Sequence, residues 1–553
     1  MAGSCGGHEG RRKETEQTRA PLVEALQSYL GQGRISFHTP GHKGGGWPGS
    51  TPESRRCLER IVGERATRLD QTELPGLGNL HRGVGPDDPI WQAQKLLAAA
   101  YGADRSFFLV NGSTVGLQAL VMATCRPGDK LVISRNVHSS VIGGLILSGA
   151  FPVYLESYLD ELPGGRDESL HRLGEKGVGT GLNPQKASRG YRVMRSTPPA
   201  PTPEMVKKAL KAHPEAKGVF ITSPTYQGLV PRVAEIARVA HGHGVPLLVD
   251  EAWGAHLPFH PALPRPALAL GADACVQSAH KTLPALTQGS WLHLKGERID
   301  PGAVEAALSL LQTTSPSYLL MVGLDLARQQ VVTGGRRYLA RLLSLLGPAR
   351  EKVKAMEGLE LLEEEQARAR GYADLDPTRL WVDTGGLRCN GVKAAGFLRE
   401  EFNLEVEFAD PTGFLVLITM ADDQVSVSSL VSALAALAAR FRGHGQTGEG
   451  LLPGSPVESG LSYIFACLRP EIVLTPREAF MGTTEVVPLQ RAVGRVAAEV
   501  VAPYPPGVPL LCPGERITRE VVVELENLKR WEIPFHGPVD PTLDYIQTVR
   551  FLG

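Results

Sequence analysis

Val276–Trp291 reads V-Q-S-A-H-K-T-L-P-A-L-T-Q-G-S-W, with Lys281 at its centre, Ser278 and His280 before it and Thr282 after it. The run D-A-C-V-Q-S (Asp273–Ser278) predicts a short buried strand. Lys281 therefore falls just past a strand's C-terminal end, the edge at which open α/β sheets bind ligands. A lysine that carries out covalent amine chemistry needs a partly desolvated site, which favours its neutral, nucleophilic form. Most lysines are solvated surface charges. Lys281 is set apart by three segments upstream of it.

The first is V-P-L-L-V-D-E-A-W-G (Val245–Gly254), a mostly apolar run ending in Asp250, again at a strand's C-terminal edge. The 31 residues from Asp250 to Lys281 leave room for a crossover and a strand, as a parallel sheet requires. The second is F-F-L-V-N-G-S-T-V-G-L (Phe107–Leu117), a strand turning through Asn111-Gly112-Ser113-Thr114 into an apolar helix. Backbone N–H groups and two hydroxyls at a helix N-terminus form an anion site. The third is R-N-V-H-S-S (Arg135–Ser140), following the strand predicted at 130–134 and carrying His138, whose ring can stack on a flat ligand. An amine, an acid, an anion turn and a stacking ring are the parts of a pyridoxal phosphate (PLP) site. The acid keeps the pyridine nitrogen protonated, so that the ring acts as an electron sink.

These residues resemble the fold-type-I PLP enzymes and, within them, the ornithine/lysine/arginine decarboxylase family. The resemblance runs through F-H-T-P-G-H-K-G (Phe37–Gly44), D-Q-T-E-L-P-G-L (Asp70–Leu77), N-G-S-T, R-N-V-H-S-S, S-P-T-Y-Q-G (Ser223–Gly228), D-E-A-W-G-A-H (Asp250–His256) and S-A-H-K. Near the end, P-R-E-A-F (Pro476–Phe480) and Y-P-P-G-V-P…P-G-E (Tyr504–Glu515) are similar to that family's C-terminal signature and are not general PLP-enzyme features. The resemblance implies an aspartate-aminotransferase-like α/β fold with a mainly parallel central sheet, a smaller α/β domain and a C-terminal lobe. It implies that Lys281 holds PLP, Asp250 faces the pyridine nitrogen and His138 stacks on the ring. It also implies that Ser113, Thr114 and Ser278 bind the phosphate with His280 beside it, and that Trp253 packs beside Asp250. The activity implied is decarboxylation of a basic L-amino acid, arginine first and lysine or ornithine next, in polyamine metabolism. With the arm at the start and no receiver-like domain before it, the resemblance is expected to be to the short biosynthetic members.

Composition agrees. Fifty-eight basic and 58 acidic residues give a formal net charge of +0, so nothing points to nucleic acid or an anionic membrane as partner. Seven cysteines, an odd number without a C-x-x-C pair, fit reduced thiols in the cytoplasm. The N-terminus lacks the apolar h-region of a secretory signal. No stretch reaches the roughly 18 apolar residues of a membrane span. His38 and His42 are four apart, but Pro40 and Gly41 prevent the helix that would align them on a metal, so no metal site is expected.

The expected organisation is a disordered tail over 1–19, an arm over 20–85 and a PLP-binding domain over 86–325. That domain carries strands at 107–110, 130–134, 151–155, 218–222, 245–249, 273–278 and 290–294, and an insertion at about 160–203. A small α/β domain over 326–442, a linker at 443–456 and a C-terminal domain over 457–553 complete it. Helices are expected over 86–101, 303–311 and 319–332, and over 334–356 with a break near Gly347-Pro348. Thr313-Thr314-Ser315 is placed where the resembled fold sends a loop into the neighbouring subunit's phosphate site, which points to a homodimer.

Two rival classes use the same parts. An aminotransferase would need an arginine for the substrate α-carboxylate, and Arg388 stands in a suitable region. A non-catalytic PLP-binding protein is opposed by intact Lys281, Asp250, His138 and Ser278. The acid that meets the substrate's basic side chain is left open among Glu73, Glu251, Glu485 and Glu515.

Overall fold

The computed structural model describes residues 16–31, 85–155, 200–443, 470–504 and 506–551. The arm segment 37–46, the D-Q-T-E-L-P-G-L segment with Glu73, the expected insertion up to residue 199 and the linker from residue 444 lie outside the described residues. Among the described residues eight strands precede residue 300: β1 (Arg105–Leu109), β2 (Lys130–Ile133), β3 (Phe151–Tyr154), β4 (Val219–Thr222), β5 (Leu229–Val230), β6 (Leu247–Asp250), β7 (Ala274–Gln277) and β8 (Ser290–Leu294). All seven strands expected from the sequence are present, with ends within two residues. Helices follow β1, β2 and β5, so the fold is α/β with a mainly parallel sheet, as expected.

The chain forms two compact units, each discontinuous in sequence. The first takes Met1–Ala123, Glu251–Pro261 and Asp273–Leu339. In it β8 runs antiparallel to β1 and to β7, with Leu109 opposite Ser290 and Gln277 opposite Trp291. Phe107, Phe108 and Trp291 are fully buried there. The helix Pro89–Tyr101 starts three residues later than expected, because Pro89 sets the first turn and Asp88 accepts from the Ile90 N–H at 2.8 Å as its N-cap. The expected tail reaches into this unit. Arg328, fully buried and paired with Asp325, donates to the backbone carbonyls of Gln17 and Arg19, and Asp325 accepts from the Leu22 N–H. Residues 17–22 are thereby held to the first unit.

The second unit takes Thr124–Asp250, Ala262–Ala272 and Ala340–Gly553. Its part of the sheet runs β6-β4-β2-β3, all parallel. The strands β2, β4 and β6 are almost wholly buried, which accounts for their unbroken apolar sequence. Further on, β9 (Glu360–Leu361), β10 (Asp374–Leu375), β11 (Arg379–Asp383), β12 (Phe408–Ala409) and β13 (Gly413–Leu417) appear. Four of these form an antiparallel sheet in the order β12-β13-β11-β9. C-terminally, β14 (Thr484–Pro488) pairs with β17 (Tyr545–Val549), and β15 (Ala502–Pro503) with β16 (Phe535–His536). One hydrophobic core, including Trp381, Phe408 and Leu415 with Leu489, Val501, Leu525 and Ile546, joins the small sheet to the C-terminal segment.

The two helices expected at 319–332 and 334–356 are one helix, Tyr318–Lys354, with Pro348 inside it. A buried stripe of Leu324, Ala327, Val331, Leu339, Leu342, Leu346 and Val353 spans both the glycine pair and the proline. Continuous packing along one face outweighs the backbone bond lost at Pro348.

Candidate active site

Lys281 stands in a single helical turn, Ala279–Thr282, directly after β7. Its Nζ lies over the buried Trp253 ring, 4.2 Å from the centroid. The turn is pinned at both ends: the Lys281 N–H donates to the Ser278 carbonyl and the His280 N–H to the Gly289 carbonyl, each at 3.2 Å. The His280 ring also meets the Gly289 carbonyl through Nδ1 at 2.9 Å. Burial, opposed by the Gly289 carbonyl and reinforced by the neighbouring Lys281 charge, pushes this imidazole below its ordinary value. Three buried hydroxyls meet beside the turn. Ser113 Oγ, from the first turn of the helix Gly112–Thr124, is 2.7 Å from Ser278 Oγ and 3.3 Å from Ser290 Oγ. Thr114 follows Ser113 and is exposed. Hydroxyls clustered at a helix N-terminus form a donor set suited to a phosphate ester.

Ser290 was missed in the sequence. Twelve residues connect Gln277 to Ser290, a length that leaves the direction of the next strand open. β8 runs antiparallel to β7 and so begins at the edge where β7 ends, and its first hydroxyl joins the other two.

Behind the turn runs a buried polar chain. Gln277 Nε2 donates to Glu251 at 2.8 Å, Gln277 Oε1 meets His293 Nε2 at 3.1 Å, and His293 Nδ1 meets Ser106 Oγ at 2.7 Å. The amide orientation fixes the rest: His293 donates from Nε2 and accepts the Ser106 hydroxyl at Nδ1. The Tyr101 ring stacks on His293 at 4.7 Å. Glu251 is thus engaged inside the first unit, and its place as the acid for a substrate side chain is not supported.

In the second unit, Asp250 is the buried last residue of β6, opposite Thr222 of β4. His138 lies in the loop after β2, where it caps the helix Ser139–Ser148. Its Nδ1 accepts from the Ser140 N–H at 3.2 Å and lies 2.7 Å from Ser140 Oγ. Arg135 of the same loop makes a two-pronged pair with Glu515, at 2.5 and 3.0 Å. Glu515 is buried and also accepts from the Cys512 N–H, so this second candidate substrate acid is committed to Arg135. Glu485 pairs with Arg495, and Glu73 lies outside the described residues. Arg388 is exposed and packs against Gly443. In the first unit, the Thr313 N–H donates to Asn111 of the N-G-S-T turn at 3.4 Å.

The structure therefore gathers Ser113 with Ser278, and Lys281 with Trp253. It turns His280 to a backbone carbonyl and sets Asp250 and His138 at the ends of β6 and β2. Among the described residues no helix is long and apolar enough to cross a membrane.

An amine beside a buried hydroxyl cluster in the first unit, and a strand-end carboxylate in the second, are the parts that carbonyl–amine chemistry uses. Comparison with known proteins narrows the class. The major-domain model of the Orn/Lys/Arg decarboxylases matches residues 20–164 and 185–426, and the C-terminal-domain model of that family matches 461–537. An arginine decarboxylase of Bacillus subtilis is 36% identical over 538 residues, covering 97% of this chain and 98% of its own. An arginine decarboxylase of Bacillus anthracis is 33% identical with similar coverage. The constitutive lysine decarboxylase of Escherichia coli superposes with a TM-score of 0.71 at 23% identity over 96% of this chain and 82% of its own, a likeness of fold. The chain belongs to the ornithine/lysine/arginine decarboxylase family and is an amino-acid decarboxylase. The family implies PLP as cofactor; the buried hydroxyls and half-buried amine of the first unit suit its phosphate and aldehyde, and the strand-end carboxylate of the second suits its pyridine nitrogen.

Proposed function

We propose that this protein decarboxylates a basic L-amino acid with PLP, arginine in preference to lysine or ornithine, and so feeds polyamine metabolism. The observation that carries the reading is the match, over 97% of the chain, to proteins known as arginine decarboxylases. PLP, when bound, supplies a protonated ring that accepts the electron pair left as the Cα–carboxylate bond breaks. The Lys281 Nζ would hold the cofactor covalently and could return a proton to Cα. The Asp250 carboxylate would accept the pyridine N–H and favour the protonated nitrogen. Ser113, Thr114 and Ser278 would donate hydroxyls to the phosphate, with Ser290 steadying Ser113 and His280 beside them. His138 would stack on the ring and Trp253 would wall the pocket.

The same proposal includes a cytoplasmic homodimer and the domain limits read from the sequence, with a PLP-binding domain over 86–325, a small domain over 326–442 and a C-terminal domain over 457–553. Release of carbon dioxide from carboxyl-labelled L-arginine, L-lysine and L-ornithine, with PLP added, tests the function. Arginine is expected to turn over fastest. Formation of the oxo acid without carbon dioxide would mean an aminotransferase, and cofactor binding without any turnover would mean a non-catalytic protein.

A further inference from the structure

The C-terminal block Y-P-P-G-V-P…P-G-E is folded onto the loop that carries His138. Gly507 has φ +83°, and a Cβ there would stand 2.9 Å from His138 Nε2 and 3.2 Å from Cδ2. The Gly507 carbonyl accepts the Ser139 N–H at 3.0 Å. The opposite edge of the imidazole is held by Ser140 through Nδ1. Since Nδ1 accepts a backbone N–H, the ring proton sits on Nε2, facing Gly507.

Three residues earlier in the loop, Arg135 is held by Glu515 and by the Leu510 carbonyl at 2.9 Å, and lies 4.7 Å over the Tyr154 ring. Burial and the Glu515 carboxylate push the nearby Cys512 thiol up to about 12, so it stays a neutral neighbour to this pair. A buried, two-pronged charge pair fixes geometry more than it adds stability. The loop is thus gripped at Arg135, at Ser139 and along one edge of His138 by a segment about 370 residues away in sequence.

We propose that the C-terminal segment positions the His138 ring for the reaction, with Gly507 and Glu515 as positioning residues. The proposal rests on the reading of His138 as the ring that stacks on PLP. It gives the C-terminal segment a part in the chemistry: Gly507 sets how far the imidazole can tilt, and the Arg135–Glu515 fork sets where the loop sits.

The test uses holoenzyme carrying Gly507→Ala, Glu515→Gln or His138→Ala, and each of the first two combined with His138→Ala. The readouts are the visible absorbance band of the bound cofactor, kcat and KM. Gly507→Ala and Glu515→Gln are each expected to lower kcat about tenfold, with KM within about twofold, and to shift the band. In the His138→Ala background neither is expected to move the band further. Wild-type kcat and band in both single variants, or an undiminished further shift without the imidazole, overturns the proposal and leaves the stacking role standing. A His138→Ala enzyme with wild-type band and kcat overturns the stacking role and the proposal with it. Should Gly507→Ala fail to fold, the near-isosteric Glu515→Gln decides by the same criteria.

Discussion

Asp250 and His293 show two uses of a buried ionisable side chain. Asp250 ends β6, and its proposed partner is the pyridine nitrogen of PLP. Asp250→Asn removes the charge and keeps the shape, so turnover should fall by two orders of magnitude or more. Cofactor content should fall far less, because the hydroxyls of Ser113 and Ser278 are untouched. Near-normal kcat in that variant would remove Asp250 from its role. His293 is given no part in the proposed chemistry. Burial pushes its imidazole down to about 3 from 6.5. As pH falls below about 6.5 the unfolded chain takes up a proton that the folded ring declines, so the unfolded state binds more protons and stability falls with pH. His280, pushed down by burial, acts in the same direction. Thermal melts from about pH 7 to about pH 5 should therefore show a smaller loss of Tm for His293→Gln than for the wild type. Equal losses would contradict the assignment.

At the level of elements, most strands were legible because each is short, buried and closed by turn residues. Asp250 and Lys281 could be placed at strand ends for that reason alone. Helix ends were harder to read. The structure makes Asp88 the cap and Pro89 the first residue of its helix, a boundary that the sequence reading set three residues early. Asp88→Ala should cost about 1 kcal/mol in chemical denaturation. A change below about 0.3 kcal/mol would show that the cap is not used. The break expected at Gly347-Pro348 was a local signal overruled by a buried stripe that runs past it. The hydroxyl of Ser290 was missed because the direction of its strand, which sets which end meets the edge beyond β7, is fixed by pairing and not by the local sequence. The Arg135–Glu515 and Gly507–His138 contacts lie beyond any local pattern, since nothing in either motif names the other as its partner.

For the whole molecule, the family was legible from motifs spread over the full length, and both family models match. The oligomer is an expectation of the fold. A dimer with shared sites predicts that Lys281→Ala mixed with the double variant Thr313→Ala, Thr314→Ala regains activity on co-refolding, as each mixed dimer restores one intact centre. Mixed dimers that stay inactive, from parents inactive alone, would exclude the shared site. The account as a whole stands on the amine at the centre of Val276–Trp291. Borohydride reduction of the holoenzyme, followed by digestion and mass spectrometry, should find the reduced cofactor on Lys281, and Lys281→Ala should lose both that label and the visible absorbance. Label on another lysine, or a Lys281→Ala protein that keeps wild-type absorbance and is still tagged by borohydride, would contradict it.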